Sequence, residues 1–359
     1  MKNLRILIVN DFASNASMFQ KYFSSHVDAI YFNENPVITL AKNPIFFEKD
    51  ELGSCVEKIK NLSKNYDIFL TFGWFAAAIC YLANVNYVMY FVDSFIEPKY
   101  RIWKKFSFFK KKFFDDLFKD ALQCANKVVA GIPNDAKTLR KYRDDVRIIF
   151  PIMDTQIFHS NHKKIKLDND LFTFFSPQRI DPTKGHEIIF ESFRYTKSDF
   201  VVLQTDWGSG DYYEKVIQNK PPNVKLISKI IRSDMPSYYV SSDALLGQVG
   251  YSSCGGTERE AILCGKPVFC YETNQFTEND PFCKSKDPIQ IAKYIDKIVK
   301  DEEFRSHLLK IQKEWVMENF DPKKLAEQWD RLFLEMINEN HKYKVKKRYN
   351  VVMKLYFNS

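Results

Sequence analysis

The sequence predicts an α/β chain of two doubly wound domains, each a parallel sheet covered by helices on both faces. Three observations carry this expectation. Apolar β-type runs alternate with helical patterns almost throughout, as strand–helix–strand units require. The chain has 359 residues, enough for two cores, because a single core usually stops growing before that length. A polar, charge-rich stretch, PIMDTQIFHSNHKKIKLDND (151–170), separates two strand patterns near the middle and reads as a linker.

In chain order, the first half gives strand patterns at 4–9, 29–32, 67–71, 87–92, 127–130 and 146–150. Helical patterns fall between them at 16–23, 52–62, 75–82, 100–122 and 135–141. The second half gives strands at 171–175, 200–204, 224–227, 244–246 and 267–270, with helices at 185–193, 212–218, 235–241 and 258–263. Three helical patterns then follow without strands between them, at 288–300, 302–318 and 322–337. The expected division is a first domain of residues 1–155, to which 336–359 crosses back, and a second of 156–335. In open sheets of this type ligands bind beyond the carboxyl ends of the strands, so two such domains facing each other would enclose a cleft.

Charge is distributed in patches. The net charge is +8, yet residues 99–119 carry eight Lys/Arg against Asp115 and Asp116, and 341–359 carry six with no acid. The remainder is therefore slightly acidic. Seven cysteines without a CxxC pair favour a reducing compartment, and their spacings fit no zinc site. MKNLRILIVN is too short an apolar run for a signal peptide, and no window reaches the roughly 18 apolar residues of a spanning helix. The expected location is cytoplasmic, with peripheral contact at the inner face of a membrane.

Two loop-to-helix junctions carry the chemistry. In FSPQRIDPTKGHEIIFESF (175–193) an apolar run ends in a loop holding Arg179 and Lys184, and a helix opens at Lys184-Gly185. Two cations beside a helix N-terminus form a receptor for a doubly charged phosphate. The second junction, Cys254-Gly255-Gly256-Thr257-Glu258-Arg259-Glu260, runs into AILCGKPVFCY. Backbone N–H groups there can approach a phosphate or sugar closely, because Gly255 and Gly256 lack a β-carbon.

These segments resemble the large retaining family of GT-B glycosyltransferases (family 4, group 1), whose fold is two Rossmann-like domains. RIDPTKG resembles the family's Arg-x4-Lys-Gly segment, and GGTEREAILCGKPVF its Glu-led helix followed by Gly-x-Pro-Val. VVLQTDWGSGDYYEK, PNVKLISKIIRSDMPSYYVSSDALL, PIMDTQIF and YDIFLTFGWFAAAICYLANVNYVMYF are similar to further elements in the family's order. The resemblance implies a glycosyltransferase moving a sugar from a UDP or GDP sugar to a lipid-linked or polysaccharide acceptor, with retention. It implies no metal or other cofactor, because side chains and helix ends stabilise the diphosphate leaving group.

Arg179 and Lys184 are then the diphosphate-binding cations, Gly255, Gly256 and Thr257 the donor-side turn, and Glu260 the ribose acceptor. Retaining members carry another Glu eight positions before the ribose Glu; here Ser252 stands there, with Glu258 as a substitute from within the helix. Asp93 ends the strand where the family often has a histidine and is expected to hydrogen-bond donor sugar or acceptor, or else to cap a helix. Asn10 and Asp11 end the first strand and face either the cleft or their own turn. The alternative function is a catalytically idle GT-B subunit that binds nucleotide or scaffolds a partner enzyme.

Within 100–122, Ile102, Phe106, Phe109, Phe113 and Leu117 form one apolar stripe flanked by lysines. Such a helix suits an anionic membrane surface, as does the basic tail; it suits equally a helix packed on the sheet with its lysines solvated. Nucleic acid is not expected, since no recognisable nucleic-acid module accompanies the charge.

Overall fold

The computed structural model describes residues 4–11, 15–31, 42, 44–46, 52–92, 108–167, 170–251, 253–273, 276–339 and 343–349. The chain divides into two compact units, Met1–Ile152 with Pro322–Ser359, and Met153–Asp321. Each is built on a parallel sheet.

In the first unit the strands are β1 (Arg5–Val9), β2 (His26–Tyr31), β3 (Ile45–Phe46), β4 (Ile68–Phe72), β5 (Tyr87–Phe91), β6 (Lys127–Ala130) and β7 (Arg147–Ile148). Among the described residues their order is β3-β2-β1-β4-β5-β6-β7, every pairing parallel. All five residues of β4 and of β5 are buried, as central strands covered on both faces demand. Helices α1 (Asn15–Tyr22), α2 (Leu52–Leu62), α3 (Gly73–Ala83), α4 (Phe108–Cys124) and α5 (Pro133–Leu139) connect them. The two-residue β3 has no counterpart among the expected strands.

The face that α4 buries is Phe114, Leu117, Phe118, Ala121 and Leu122, with Trp74 of α3 meeting Phe114 edge-on at 5.9 Å. Of the expected stripe, Leu117 is fully buried and Phe113 packs partly buried against the same core. Ile102, Phe106 and the Phe109 side chain lie outside what the structure describes. Over its described length, then, the apolar stripe faces the protein interior, and Lys112 and Lys119 are exposed.

The second unit contains β8 (Phe172–Ser176), β9 (Phe200–Thr205), β10 (Val224–Ile227), β11 (Ala244–Leu246) and β12 (Val268–Phe269). Their order is β10-β9-β8-β11-β12, again all parallel. Helices α6 (His186–Ser192), α7 (Asp211–Gln218), α8 (Met235–Ser241), α9 (Gly256–Leu263), α10 (Pro288–Lys300) and α11 (Glu302–Asn319) complete it. The side chains of Asp287 and Asp301 cap α10 and α11, which ends each connection sharply.

The return to the first unit, expected from 336, begins at Pro322 with α12 (Pro322–Asn338). Trp329 makes this helix part of the first core: it is fully buried, edge-on to Tyr90 at 4.8 Å and to Phe19 at 5.7 Å. The segment Tyr343–Tyr349 then seats on the same unit. The Tyr343 hydroxyl donates to the Val85 carbonyl at 2.9 Å, just past the end of α3. Asp120 accepts from Lys346 at 2.7 Å, Arg348 at 2.9 Å and the buried Tyr349 hydroxyl at 2.6 Å. Of the four cations in 343–349, Lys346 and Arg348 are thus paired with Asp120 in a structural clasp.

Candidate functional site

The two junctions follow β8 and β11, strands that pair directly, so both lie at the carboxyl edge of one sheet in the second unit. After β8 the chain forms a 3-10 turn, Pro182–Lys184, capped by Asp181, whose carboxylate accepts from the Thr183 amide at 3.0 Å. Gly185 ends this turn at φ +74°, a left-handed conformation that favours glycine. A Cβ at Gly185 would overlap the Gly250 backbone, with its Cα only 2.9 Å away. The close approach is sealed by the Lys184 carbonyl, which accepts from the amides of Val249 (3.0 Å) and Gly250 (3.2 Å). The first junction is thereby tied to the loop that leads into the second.

Side chains repeat the link. Lys184 Nζ donates to Gln248 Oε1 at 2.6 Å, and the Gln248 amide N–H donates to Glu258 Oε1 at 3.0 Å. Gln178 also donates to Glu258 Oε1, and the Thr257 hydroxyl donates to Glu258 Oε2 at 2.9 Å. Glu258 is 1% exposed. Its carboxylate therefore binds the loops after β8 and β11 together, and a Cβ on Gly255 would stand 2.7 Å from its Oε2. Gly256 differs: a Cβ there would meet nothing within 4 Å. Gly255 is the N-cap of α9 and, as a glycine, supplies no side-chain cap hydrogen bond.

Arg179 is half-buried and pairs with Asp181 through Nη2 at 3.2 Å, while its Nε is buried without a partner. Glu260 is 2% exposed. Its Oε1 accepts from Arg232, and its Oε2 accepts from the Tyr239 hydroxyl at 3.1 Å. Burial first, then the Glu260 charge, hold the Tyr239 phenol well above its ordinary pKa, so it stays a donor. Cys254, one residue before the glycines, donates its amide N–H to the fully buried Glu272.

Arg179, Lys184, Gly255, Gly256, Thr257, Glu258 and Glu260 thus lie on neighbouring loops and one helix start of a single unit. Asn10 and Asp11 lie in the other unit. Asp11 is buried and caps the start of α1, accepting from the Asn15 side chain at 3.0 Å and the Ala16 amide at 2.8 Å. Asn10 adopts φ 65° and donates its amide to Ile30 O at 2.8 Å, which extends the β1–β2 pairing by one residue. Asp93 and Ser252 lie outside the described residues.

Gln178, Gln248, Arg232, Tyr239 and Glu272 were missed as site-forming residues. The available signal was weak but present: Glu258 and Glu260 directly precede the apolar run Ala261–Leu263 in a helix buried from 258 to 263, where each carboxylate needs a partner.

Comparison with known families matches residues 158–315 to glycosyl transferases group 1. Comparison with curated proteins gives no significant match. Among solved structures the chain is similar to Anabaena HepE in complex with UDP-glucose: 15% identity, TM-score 0.69, covering 92% of this chain and 100% of that one. It is similar also to sucrose-phosphate synthase from Thermosynechococcus elongatus (16% identity, TM-score 0.70, 93% and 99% covered). A glycosyltransferase from Rickettsia africae gives 16% identity and TM-score 0.67 over 95% of this chain and 100% of that one.

Proposed function

We propose that this chain, whose residues 158–315 match glycosyl transferases group 1, is a GT-B glycosyltransferase that moves a sugar from a nucleotide diphosphate sugar to a lipid-linked or polysaccharide acceptor, with retention and without a metal. The observation that supports this most is the Lys184–Gln248–Glu258 link, which ties the cationic turn to the start of α9. Breaking the bond from the anomeric carbon to the diphosphate oxygen leaves added negative charge on the leaving group. Arg179, with its unpartnered Nε, and the ammonium of Lys184 neutralise it, and the first amides of α9 from Gly255 through Thr257 take a phosphate oxygen. Glu260 accepts from the ribose. Asp93 and Asn10 serve the acceptor side, while Asp11, buried and bonded to Asn15 and Ala16, holds the start of α1.

UDP is the preferred nucleotide in this reading, since HepE is seen with UDP and UDP-glucose. An anionic membrane surface remains part of it, resting now on the lysines of 99–119 and the tail rather than on the apolar stripe. One observation favours the alternative of a catalytically idle, nucleotide-binding subunit: Glu258 is enclosed by its own hydrogen bonds and cannot replace the carboxylate missing at Ser252 without breaking them. Donor hydrolysis separates the two. Wild type is expected to release UDP slowly from a UDP-sugar, and Arg179→Ala to abolish release. Nucleotide binding with no turnover across a broad sugar and acceptor panel favours the idle subunit.

A further inference from the structure

The carboxylate of Glu260 is not free to take up a ligand in any orientation. Ionised, it offers about four lone-pair sites on two oxygens. Arg232 occupies one on Oε1 and the Tyr239 hydroxyl one on Oε2. Both donors come from one short stretch, Arg232 from the loop after β10 and Tyr239 from α8 beyond it. Arg232 is itself held: its guanidinium lies 5.2 Å from the centre of the Phe158 ring, and that fully buried ring packs edge-on to Tyr239 at 6.2 Å. Phe158, Arg232, Glu260 and Tyr239 therefore form one closed packing unit. A carboxylate this deeply buried would lose its charge partner without the guanidinium, and would rotate toward another donor.

We infer that Arg232 is a positioning residue for the nucleoside half of the donor: it holds the Glu260 carboxylate oriented so that its remaining lone pairs meet the ribose hydroxyls. The inference rests on the reading of Glu260 as the ribose acceptor. Arg232 need not touch the ligand; it acts through Glu260. A planar fork with full charge does this better than an ammonium, because it fixes direction as well as charge.

Calorimetric titration with UDP and 2′-deoxy-UDP tests it. Wild type is expected to prefer UDP by about tenfold or more, the loss associated with one hydrogen bond to a charged group. In R232M the ratio falls to near one, mainly through weaker UDP binding. R232K keeps the charge and lies between. R179A, by contrast, weakens both nucleotides alike and preserves the ratio. A wild-type ratio in R232M, or in R232Q should R232M fail to fold, overturns the inference, as does an equal weakening of both nucleotides. Absence of UDP binding by wild type would defeat the donor reading first and this inference with it.

Discussion

His186 follows Gly185 at the start of α6, 2% exposed, with neither ring nitrogen hydrogen-bonded. Burial lowers its pKa to about 4. The folded chain therefore keeps this imidazole neutral while the unfolded chain takes up a proton as pH falls through about 6.5. Stability present above that value is lost as pH drops toward 4, on the order of 3 kcal/mol in all. Thermal melts between pH 7 and pH 4 should show a steeper fall for wild type than for His186→Leu, and parallel curves would remove the assignment. At this scale the sequence was readable where chemistry is loud. Arg179, Lys184 and the glycine pair announce themselves as cations and breakers at the ends of apolar runs. Gln178, Gln248 and Arg232 do not, because an amide or a cation in a polar loop looks the same whether it is solvated or bonded to a buried carboxylate. Glu260 was read as a hydroxyl acceptor from resemblance alone; its two protein donors come from a segment more than 20 residues upstream, a contact that no local pattern encodes.

Elements were more legible than contacts. Lys127–Ala130, Val224–Ile227, Ala244–Leu246 and the helices Leu52–Leu62, Met235–Ser241 and Pro288–Lys300 match the expected bounds, because each is a short apolar or amphipathic run between polar breakers. Strand β3 escaped notice since two residues carry no period. Helix α4 shows how periodicity under-determines a partner. The stripe through Phe113 and Leu117 was visible, but a stripe says only that something apolar covers it. Trp74 and the α3 surface supply that cover, and the true face is rotated to include Phe114 and Phe118. The tail behaves likewise. Its basic residues suit either an anionic membrane surface or packing on the first domain, and over 343–349 Lys346 and Arg348 pair with Asp120. Burial alone would raise the Asp120 pKa, but hydrogen bonds from Lys346, Tyr349 and Arg348 outweigh it and hold the carboxyl below its ordinary value. The clasp thus persists at neutral pH and loosens only as Asp120 is protonated in strong acid.

For the whole molecule, two doubly wound units and a linker within 151–170 could be read from alternation and polarity, whereas the chain's return at Pro322 could not be located from composition. A helix that leaves one core for another looks like any amphipathic helix until its buried Trp329 is placed. No described helix is long and apolar enough to cross a membrane. The proposed contact with a membrane surface rests on the lysines of 99–119 and the tail, so flotation with anionic vesicles is expected at low salt and to vanish at high salt; no flotation at low salt removes that part of the reading. The claim on which the reading depends is that Arg179 and Lys184 receive a diphosphate. Titration calorimetry with UDP and uridine, on wild type and on R179A, K184A and the double variant, measures it most directly. The account predicts that wild type binds UDP far better than uridine, that each single variant loses about tenfold or more in UDP affinity, and that the double variant no longer separates the two ligands. UDP affinity undiminished in the double variant would contradict it.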